Sequence, residues 1–266
     1  MSDAFKSVKI DTENHGGDNI KEKILVMSGK GGVGKSTFAA NLALSLALKD
    51  KEVGLLDIDM HGPSIPRILG MLGEKVYGQE KAIVPTKYRK NFKVMSVGFF
   101  TEVEDAIIWR GPMKHNVIKQ FINDVVWDNL DYMVIDSPPG TGDEPLSIAQ
   151  LLGKGTKVIV VTTPQDLALA DVRKSINFCK QMSLEVLGVV ENMSGFVCPH
   201  CGTLTEIFKS GGGEKMAKEM NVPFLGKIPI DPKVVEYSDA GKPYIEAVRD
   251  SETAKALDKI LSQFAV

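Results

Sequence analysis

The chain of 266 residues has few cysteines, no long apolar run and no marked excess of either charge. Its three cysteines are an odd number, so a framework of disulfides is not expected. Because 32 basic residues stand against 34 acidic ones, the formal net charge is -2, and we expect no general attraction to nucleic acid or anionic lipid. No segment has the length of a membrane span or the pattern of a signal peptide. We therefore expect a cytoplasmic protein that binds neither nucleic acid nor a membrane.

What the sequence does contain is an alternation of apolar β-type runs with helical patterns. It follows a polar segment, residues 1–22, which we expect to be a flexible leader. Several predicted strands are apolar on both faces, which is typical of strands covered by helices on both sides. We therefore predict an α/β fold with a doubly wound, mostly parallel sheet, in a single domain over residues 23–266. The predicted strands are residues 24–27, 53–56, 92–97, 132–135, 158–162, 186–190 and 224–226, and the predicted helices are residues 36–48, 114–125, 144–152, 167–182, 214–220 and 252–264.

A glycine-rich loop between the first predicted strand and the first predicted helix indicates a phosphate-binding loop. Lys35 is placed to reach the terminal phosphates of a nucleotide, and the Ser36 hydroxyl is placed to bind Mg²⁺. A second lysine, Lys30, is not needed by a plain phosphate loop. The loop consists of Gly29, Lys30, Gly31, Gly32, Val33, Gly34, Lys35, Ser36 and Thr37.

Carboxylates follow two further predicted strands, where ligands gather in open α/β sheets. Asp57 and Asp59 end the second strand, and we assign the attacking water to Asp59 because Asp57 sits deeper in the strand. Asp136 ends an apolar strand and fits the acid that organises Mg²⁺ in phosphate-loop NTPases. Gly140, just after it, is a candidate N–H donor to a γ-phosphate. The simpler alternatives are solvated acids in a turn and, for Asp136, a cap.

The thiols of Cys198 and Cys201 have a spacing common among metal ligands, but the chain contains no second pair. Two copies in a symmetric dimer would supply four thiolates. A redox pair and an inert turn are the alternatives. A loop expected over residues 192–213 weakens the redox alternative, since redox pairs usually begin a helix. We expect Cys179 to be a core residue and His200 to be exposed in a turn.

Two polar residues have open interpretations. Asn192 could bind the edge of adenine through its amide, or it could be a turn residue. No motif that selects guanine is present, so ATP is favoured. Arg110 could face a partner or a phosphate, or it could be a surface cation stacked on Trp109.

The loop with Lys30, the Asp57–Asp59 element and residues 136–143 together resemble the deviant phosphate-loop ATPases, which include the nitrogenase iron protein and the site-selection and partition ATPases. Further motifs narrow the resemblance to the Mrp/ApbC family of iron–sulfur cluster carrier ATPases. These motifs are DMHGPS (59–64), WRGP (109–112), ENMS (191–194), CPHC (198–201), GGGEK (211–215) and LGKIP (225–229).

The resemblance implies a weak ATPase that acts as a homodimeric carrier and delivers clusters to apo iron–sulfur proteins. Cys198 and Cys201 of each subunit would bridge a [4Fe–4S] cluster. The alternatives are a positioning or partition ATPase and a zinc-stapled nucleotide-binding protein. For the nucleotide, the resemblance implies that Lys30 reaches the partner's ATP, that Lys35 and Ser36 hold phosphates and Mg²⁺, that Asp59 positions water, that Asp136 lies in the outer shell of the metal, and that Asn192 contacts adenine.

Overall fold

The core of the structure is a central sheet with helices packed on both faces. The computed structural model describes residues 19–79, 82–100, 111–198 and 200–264. The strands are β1 (Ile20–Ser28), β2 (Val53–Asp57), β3 (Tyr77–Gln79), β4 (Ala82–Val84), β5 (Thr86–Arg89), β6 (Phe92–Ser96), β7 (Leu130–Asp136), β8 (Thr156–Thr162), β9 (Glu185–Val197), β10 (Leu204–Thr205) and β11 (Phe224–Ile230). The helices are α1 (Lys35–Ala47), α2 (Ile65–Ile68), α3 (Gly111–Asn123), α4 (Asp143–Leu152), α5 (Asp166–Gln181), α6 (Gly212–Glu219), α7 (Pro232–Asp239), α8 (Tyr244–Ala247) and α9 (Glu252–Leu261).

The central sheet has the strand order β10-β9-β8-β1-β7-β2-β6-β5, with β11 beside β9. Its neighbours pair in parallel from β6 through β9 and β11, while β5 and β10 pair antiparallel at the edges. Strands β3 and β4 form a separate antiparallel hairpin. The predicted α/β class, with a mostly parallel sheet, is confirmed. No described helix has both the length and the apolar character needed to span a membrane.

Strand β1 shows how the sheet divides the core into two layers. Ile24 and Val26 pack into the layer that contains α1 and α9, while Leu25 and Met27 pack into the layer that contains α3, α4 and α5. Successive side chains of a strand point to opposite faces, so a strand covered on both sides must be apolar throughout. This is the physical reason that the central strands could be recognised as continuous apolar runs.

Each predicted strand and helix is present, but several boundaries differ: α3 begins at Gly111 rather than at residue 114, and β11 continues to Ile230 rather than ending at residue 226. The loop expected from Asn192 does not begin there, because β9 continues to Val197. Met193 and Gly195 have left-handed backbone conformations, with φ of 57° and 82°, and such a bulge obscures the alternation of a strand. The remainder of β9 pairs with β10 and β11. Of the predicted leader, residues 1–18 lie outside the described residues and residues 20–22 belong to β1.

Candidate functional site

The candidate phosphate site lies where β1, β2 and β7 end side by side. Val26 of β1 and Asp57 of β2 both align with Asp136 of β7 in the parallel register. The glycine-rich loop leaves β1 at this edge and leads into α1. Parallel pairing therefore brings together the loop and the acidic strand ends that the sequence analysis selected separately.

Backbone geometry and close packing explain three of the four glycines of this loop. Gly32 and Gly34 have φ of 77° and 88°, a region that other residues rarely adopt. A Cβ atom at Gly34 would also lie 2.2 Å from the Nδ2 atom of Asn192, and one at Gly29 would lie 2.5 Å from the backbone of Asp171 in α5. The glycine-rich loop thus packs closely against Asn192 and α5. Lys30, Gly31 and Gly32 are exposed.

Lys35 is the buried cation of the site, and its ammonium group faces the acids. Its Nζ atom lies 2.5 Å from Asp136 Oδ1, 3.8 Å from Asp59 Oδ2 and 3.3 Å from Ser36 Oγ. The second oxygen of Asp136, Oδ2, is buried and has no hydrogen-bond partner among the described residues. A buried carboxylate oxygen without a donor suits a water molecule on Mg²⁺, so the residues present fit the predicted metal.

The buried carboxyls at the ends of β2 and β7, Asp57 and Asp136, have raised pKa values. Burial, followed by repulsion from Asp136, raises the pKa of Asp57 to about 8. Burial also raises the pKa of Asp136, against the opposing effect of Lys35. Because added positive charge would favour the ionised carboxylates, this edge of the sheet is electrostatically suited to a divalent cation.

Asp57 organises the loop that carries Asp59, a role that the sequence analysis did not find. Its Oδ1 atom accepts a hydrogen bond from the Asp59 backbone N–H at 3.2 Å. Its Oδ2 atom accepts from the Ile65 N–H at 3.3 Å and from the Ser96 hydroxyl at 2.8 Å. This arrangement keeps the partly exposed Asp59 beside Lys35. Ser96 ends β6, and nothing in the sequence pattern links it with Asp57.

Asn192 lies against the phosphate loop, as its predicted role in nucleotide binding requires. Its Nδ2 group donates a hydrogen bond to the Val33 carbonyl at 2.8 Å. Beside it is a mostly apolar cavity of about 220 Å³, which we call the base cavity. It is lined by Gly34, Thr37, Phe38, Asn41, Asn192, Met193, Phe208, Ile228, Pro229, Ile230, Asp231, Val234, Val235, Tyr244, Thr253 and Leu257. An apolar cavity that opens beside a phosphate loop has the composition of a base-binding site.

Glu191, the neighbour of Asn192, is a fully buried carboxylate that the sequence analysis did not assign. It accepts hydrogen bonds from the N–H groups of Gly211 at 2.8 Å and Gly213 at 2.5 Å, and from the Ser194 hydroxyl at 2.5 Å. Glu191 therefore holds the first turn of α6, where a negative charge is favoured. The sequence signal that could have identified this residue is a glutamate at the end of an apolar run.

Cys198 and Cys201 lie in the turn between β9 and β10, which we call the cysteine turn (residues 198–203). The turn is closed by hydrogen bonds from the Cys198 N–H to the Thr203 carbonyl at 3.0 Å and from the Gly202 N–H to the Cys198 carbonyl at 2.9 Å. The Thr203 hydroxyl lies 3.2 Å from the Sγ atom of Cys201, and this hydrogen bond lowers the pKa of the Cys201 thiol. Cys198 is partly exposed and Cys201 exposed.

The predicted burial of Cys179 and the predicted exposure of His200 are confirmed. Cys179 is buried in the core, and burial raises the pKa of its thiol to about 12. His200 is exposed in the cysteine turn. Among the described residues, no group of three or more His, Cys, Asp or Glu side chains is placed to hold a metal ion. The described part of one protomer thus offers the two thiols without further ligands.

Three candidate site residues from the sequence analysis remain: Lys30, Gly140 and Arg110. Lys30 is exposed at the tip of the phosphate loop, and its carbonyl accepts a hydrogen bond from the Ser28 hydroxyl at 2.9 Å. The Gly140 N–H, a candidate donor to a phosphate, instead donates to the Ser28 carbonyl at 2.8 Å. Arg110 and its neighbour Trp109 lie outside the described residues.

A phosphate loop between a central strand and a helix, with acidic residues at the two neighbouring strand ends, defines a phosphate-loop NTPase. The profile of one family within this class, described as the NUBPL iron-transfer P-loop NTPases, matches residues 19–265. The chain belongs to this family.

Several relatives that share about half of their sequence with this chain align with most of its length. A cytosolic Fe-S cluster assembly factor, Nubp2 homolog, of Anopheles gambiae is 49% identical over 92% of this chain and 96% of its own length. The cytosolic Fe-S cluster assembly factor CFD1 of Saccharomyces cerevisiae is 48% identical, covering 92% and 87%. An iron-sulfur cluster carrier protein of Saccharolobus solfataricus is 49% identical, covering 89% and 80%.

Solved structures agree with the fold. A nucleotide-binding protein of Archaeoglobus fulgidus in complex with ADP is 37% identical, with a TM-score of 0.76 over 94% of this chain and 93% of that one. The cell division ATPase MinD of Pyrococcus furiosus, at 24% identity and a TM-score of 0.67, covers 91% of this chain and 98% of its own length. At this identity, MinD supports the shared fold alone.

Proposed function

We propose that this protein is an ATP-binding, slowly hydrolysing homodimer that carries an iron–sulfur cluster and delivers it to apo iron–sulfur proteins in the cytosol. The observation that carries the proposal is the combination of a complete phosphate loop with two accessible thiols on a closed turn. The relatives named as assembly factors and carriers support the cargo, and two of their names support the cytosolic location.

The nucleotide site has the groups that phosphate transfer to water requires. Lys35 would exchange its carboxylate contacts for the terminal phosphates, which keep it neutralised. Mg²⁺, held by the Ser36 hydroxyl and through water by Asp136, would supply further positive charge. Asp59, kept beside Lys35 by Asp57, would orient the attacking water. Charge stabilisation and positioning are the main contributions that a protein makes to this reaction.

The dimer is part of the proposal because each site lacks something that a second copy holds. The partner subunit's Lys30 would reach the phosphates in trans, as its exposure at the tip of the loop allows. Cys198 and Cys201 supply two thiolates, and a [4Fe–4S] cluster takes four. Two cysteine turns facing each other across a symmetry axis would complete the cluster.

The Asn192 amide supports adenine as the base. Its Nδ2 group donates one hydrogen to the Val33 carbonyl, so Oδ1 and the second N–H remain for the edge of a base. A carbonyl oxygen accepts a hydrogen bond from the exocyclic amino group of adenine, whereas guanine presents a carbonyl at that position.

The proposal is tested by anaerobic reconstitution of the full chain with iron and sulfide. We expect visible iron–sulfur absorption and equal iron and sulfide contents for the wild type. Cys198→Ala should lose both, while the matched control Cys179→Ala, at the buried thiol, should retain them. A protein that retains zinc and takes up no sulfide would instead be the zinc-stapled alternative. One that takes up no metal would favour a positioning ATPase.

A further inference from the structure

The chain segment that follows the cysteine turn forms part of the wall of the base cavity. Phe208 lies three residues after β10, is 39% exposed, and lines the cavity together with Thr37 of α1 and Val234 of α7. On the proposed function, which puts an adenine base in this cavity, we infer that Phe208 contacts the base and couples its presence to the position of the cysteine turn. A flat aromatic ring is well suited to pack against a base.

The anchoring of this segment is unequal on the two sides of Phe208. Toward α6, the Gly211 N–H donates to the buried carboxylate of Glu191 at 2.8 Å, and Ser210 Oγ lies 3.0 Å from Ser194 Oγ. Hydrogen bonds to a buried charge are strong ones. Residues after Phe208 are therefore firmly attached to β9.

Toward the cysteines, the attachment is much lighter. Strand β10 has two residues, both exposed, and it pairs with the end of β9 at Val197 and Phe196. Leu204 and Ile207 are 58% and 53% exposed, so little apolar packing holds this stretch. When a base displaces Phe208, the movement will therefore pass into β10 and the cysteine turn rather than into α6.

A second residue of the cavity wall lies on the strand that enters the cysteine turn. Met193 lines the base cavity and has φ of 57°, a left-handed conformation that is unfavourable for a residue with a Cβ atom. It directly follows Asn192 in β9 and lies five residues before Cys198, which begins the cysteine turn after that strand. Both chain connections to the cysteine turn, through Met193 and through Phe208, thus pass along the base cavity.

The test measures the alkylation of the apo full chain by iodoacetamide, with and without saturating ADP, and locates it on Cys198 and Cys201 by peptide mass spectrometry. ADP binding is measured in parallel by calorimetry. We expect ADP to slow alkylation of the wild type at least threefold. Phe208→Ala should weaken ADP binding about fivefold and abolish the slowing at saturation.

Two further variants make the result specific. Leu72→Ala removes an exposed apolar side chain that lies outside both the base cavity and the cysteine segment, and should keep the full response to ADP. Phe208→Leu keeps an apolar side chain and should retain part of the slowing of alkylation by ADP. This result would support the inference even if the alanine variant folds poorly.

The inference is overturned if bound ADP leaves wild-type alkylation unchanged, or if Phe208→Ala responds like the wild type at saturation. Either result leaves the proposed function intact when the wild type binds ADP and assembles a cluster. Failure of the wild type to bind ADP at all would instead remove both the inference and the proposed function.

Discussion

The phosphate site and the cysteine turn belong to one domain but are built in opposite ways. Lys35, Asp57 and Asp136 are buried at the centre of the sheet, and their positions are fixed by hydrogen bonds within one protomer. Cys201 and His200 are exposed on an edge hairpin. The comparison teaches that the protein prepares its nucleotide site in advance, whereas the two thiols proposed to hold the cargo are left accessible at the surface.

The largest difference between the two regions should appear at the cysteine turn. Cys201→Ser is expected to abolish the bound cluster completely, because hydroxyl oxygen is a poor substitute for a bridging thiolate. Since Cys201 is exposed, the free energy of unfolding of the variant should differ from that of the wild type by less than about 0.5 kcal/mol. Iron content and urea unfolding measure the two effects. A large loss of stability would show that the turn is structural rather than a site for cargo.

The converse result is expected for Lys35→Ala. It should lower the rate of ATP hydrolysis roughly 10²–10³-fold, since a cation at the phosphates is lost. It should also lower the free energy of unfolding by about 3 kcal/mol, because Asp136 loses its buried partner. The exposed lysine of the same loop provides the control, and Lys30→Ala should slow hydrolysis with a change in stability below about 0.5 kcal/mol. Equal destabilisation by both variants would contradict the account.

Glu191, which anchors the first turn of α6 to β9, should give an intermediate effect. Glu191→Gln replaces one acceptor oxygen by an NH₂ group that would meet the N–H donors of α6. We expect a loss of about 2 kcal/mol in the free energy of unfolding. Glu219→Gln, at an exposed ion pair with Arg173, should cost less than about 0.5 kcal/mol. Thermal or urea unfolding of the two variants measures whether the buried carboxylate contributes this much to the free energy of unfolding.

A further expected effect is a pH dependence of stability that comes from Asp57. Its folded pKa is raised from 3.8 to about 8, so the folded state holds a proton that the unfolded state releases. The stability contributed by this proton is complete below 3.8 and is lost as pH rises toward about 8. Asp57→Asn should therefore have a flatter curve of unfolding free energy against pH. An unchanged slope would show that Asp57 is ionised throughout.

The parts of the fold that could be predicted from the sequence are those in which local pattern and tertiary environment agree. Strands β1, β2, β7 and β8 are buried on both faces, so their residues form continuous apolar runs. Gly29, Gly32 and Gly34 of the phosphate loop lie where left-handed φ values or close packing require glycine. Asp57, Asp59 and Asp136 could be selected because each ends such a run, and parallel pairing then brings them together.

The rest depends on contacts between residues far apart in the chain. The end of β9 escaped recognition because the bulge at Met193 and Gly195 interrupts the alternation of the strand. Glu191 contacts α6 twenty residues later in the chain, and no local pattern records such a contact. Helix α7 was missed although Asp231 caps it through the Lys233 N–H and Pro232 begins it, which is a recognisable start signal.

The most direct test of the central claim is the mass and metal content of the same anaerobically reconstituted sample, by native mass spectrometry and iron analysis. The account predicts a particle of twice the 29.0 kDa chain mass that contains one [4Fe–4S] cluster and loses it when Cys198 is replaced. A fully loaded particle with the mass of a single chain would contradict the claim that two protomers share the cluster.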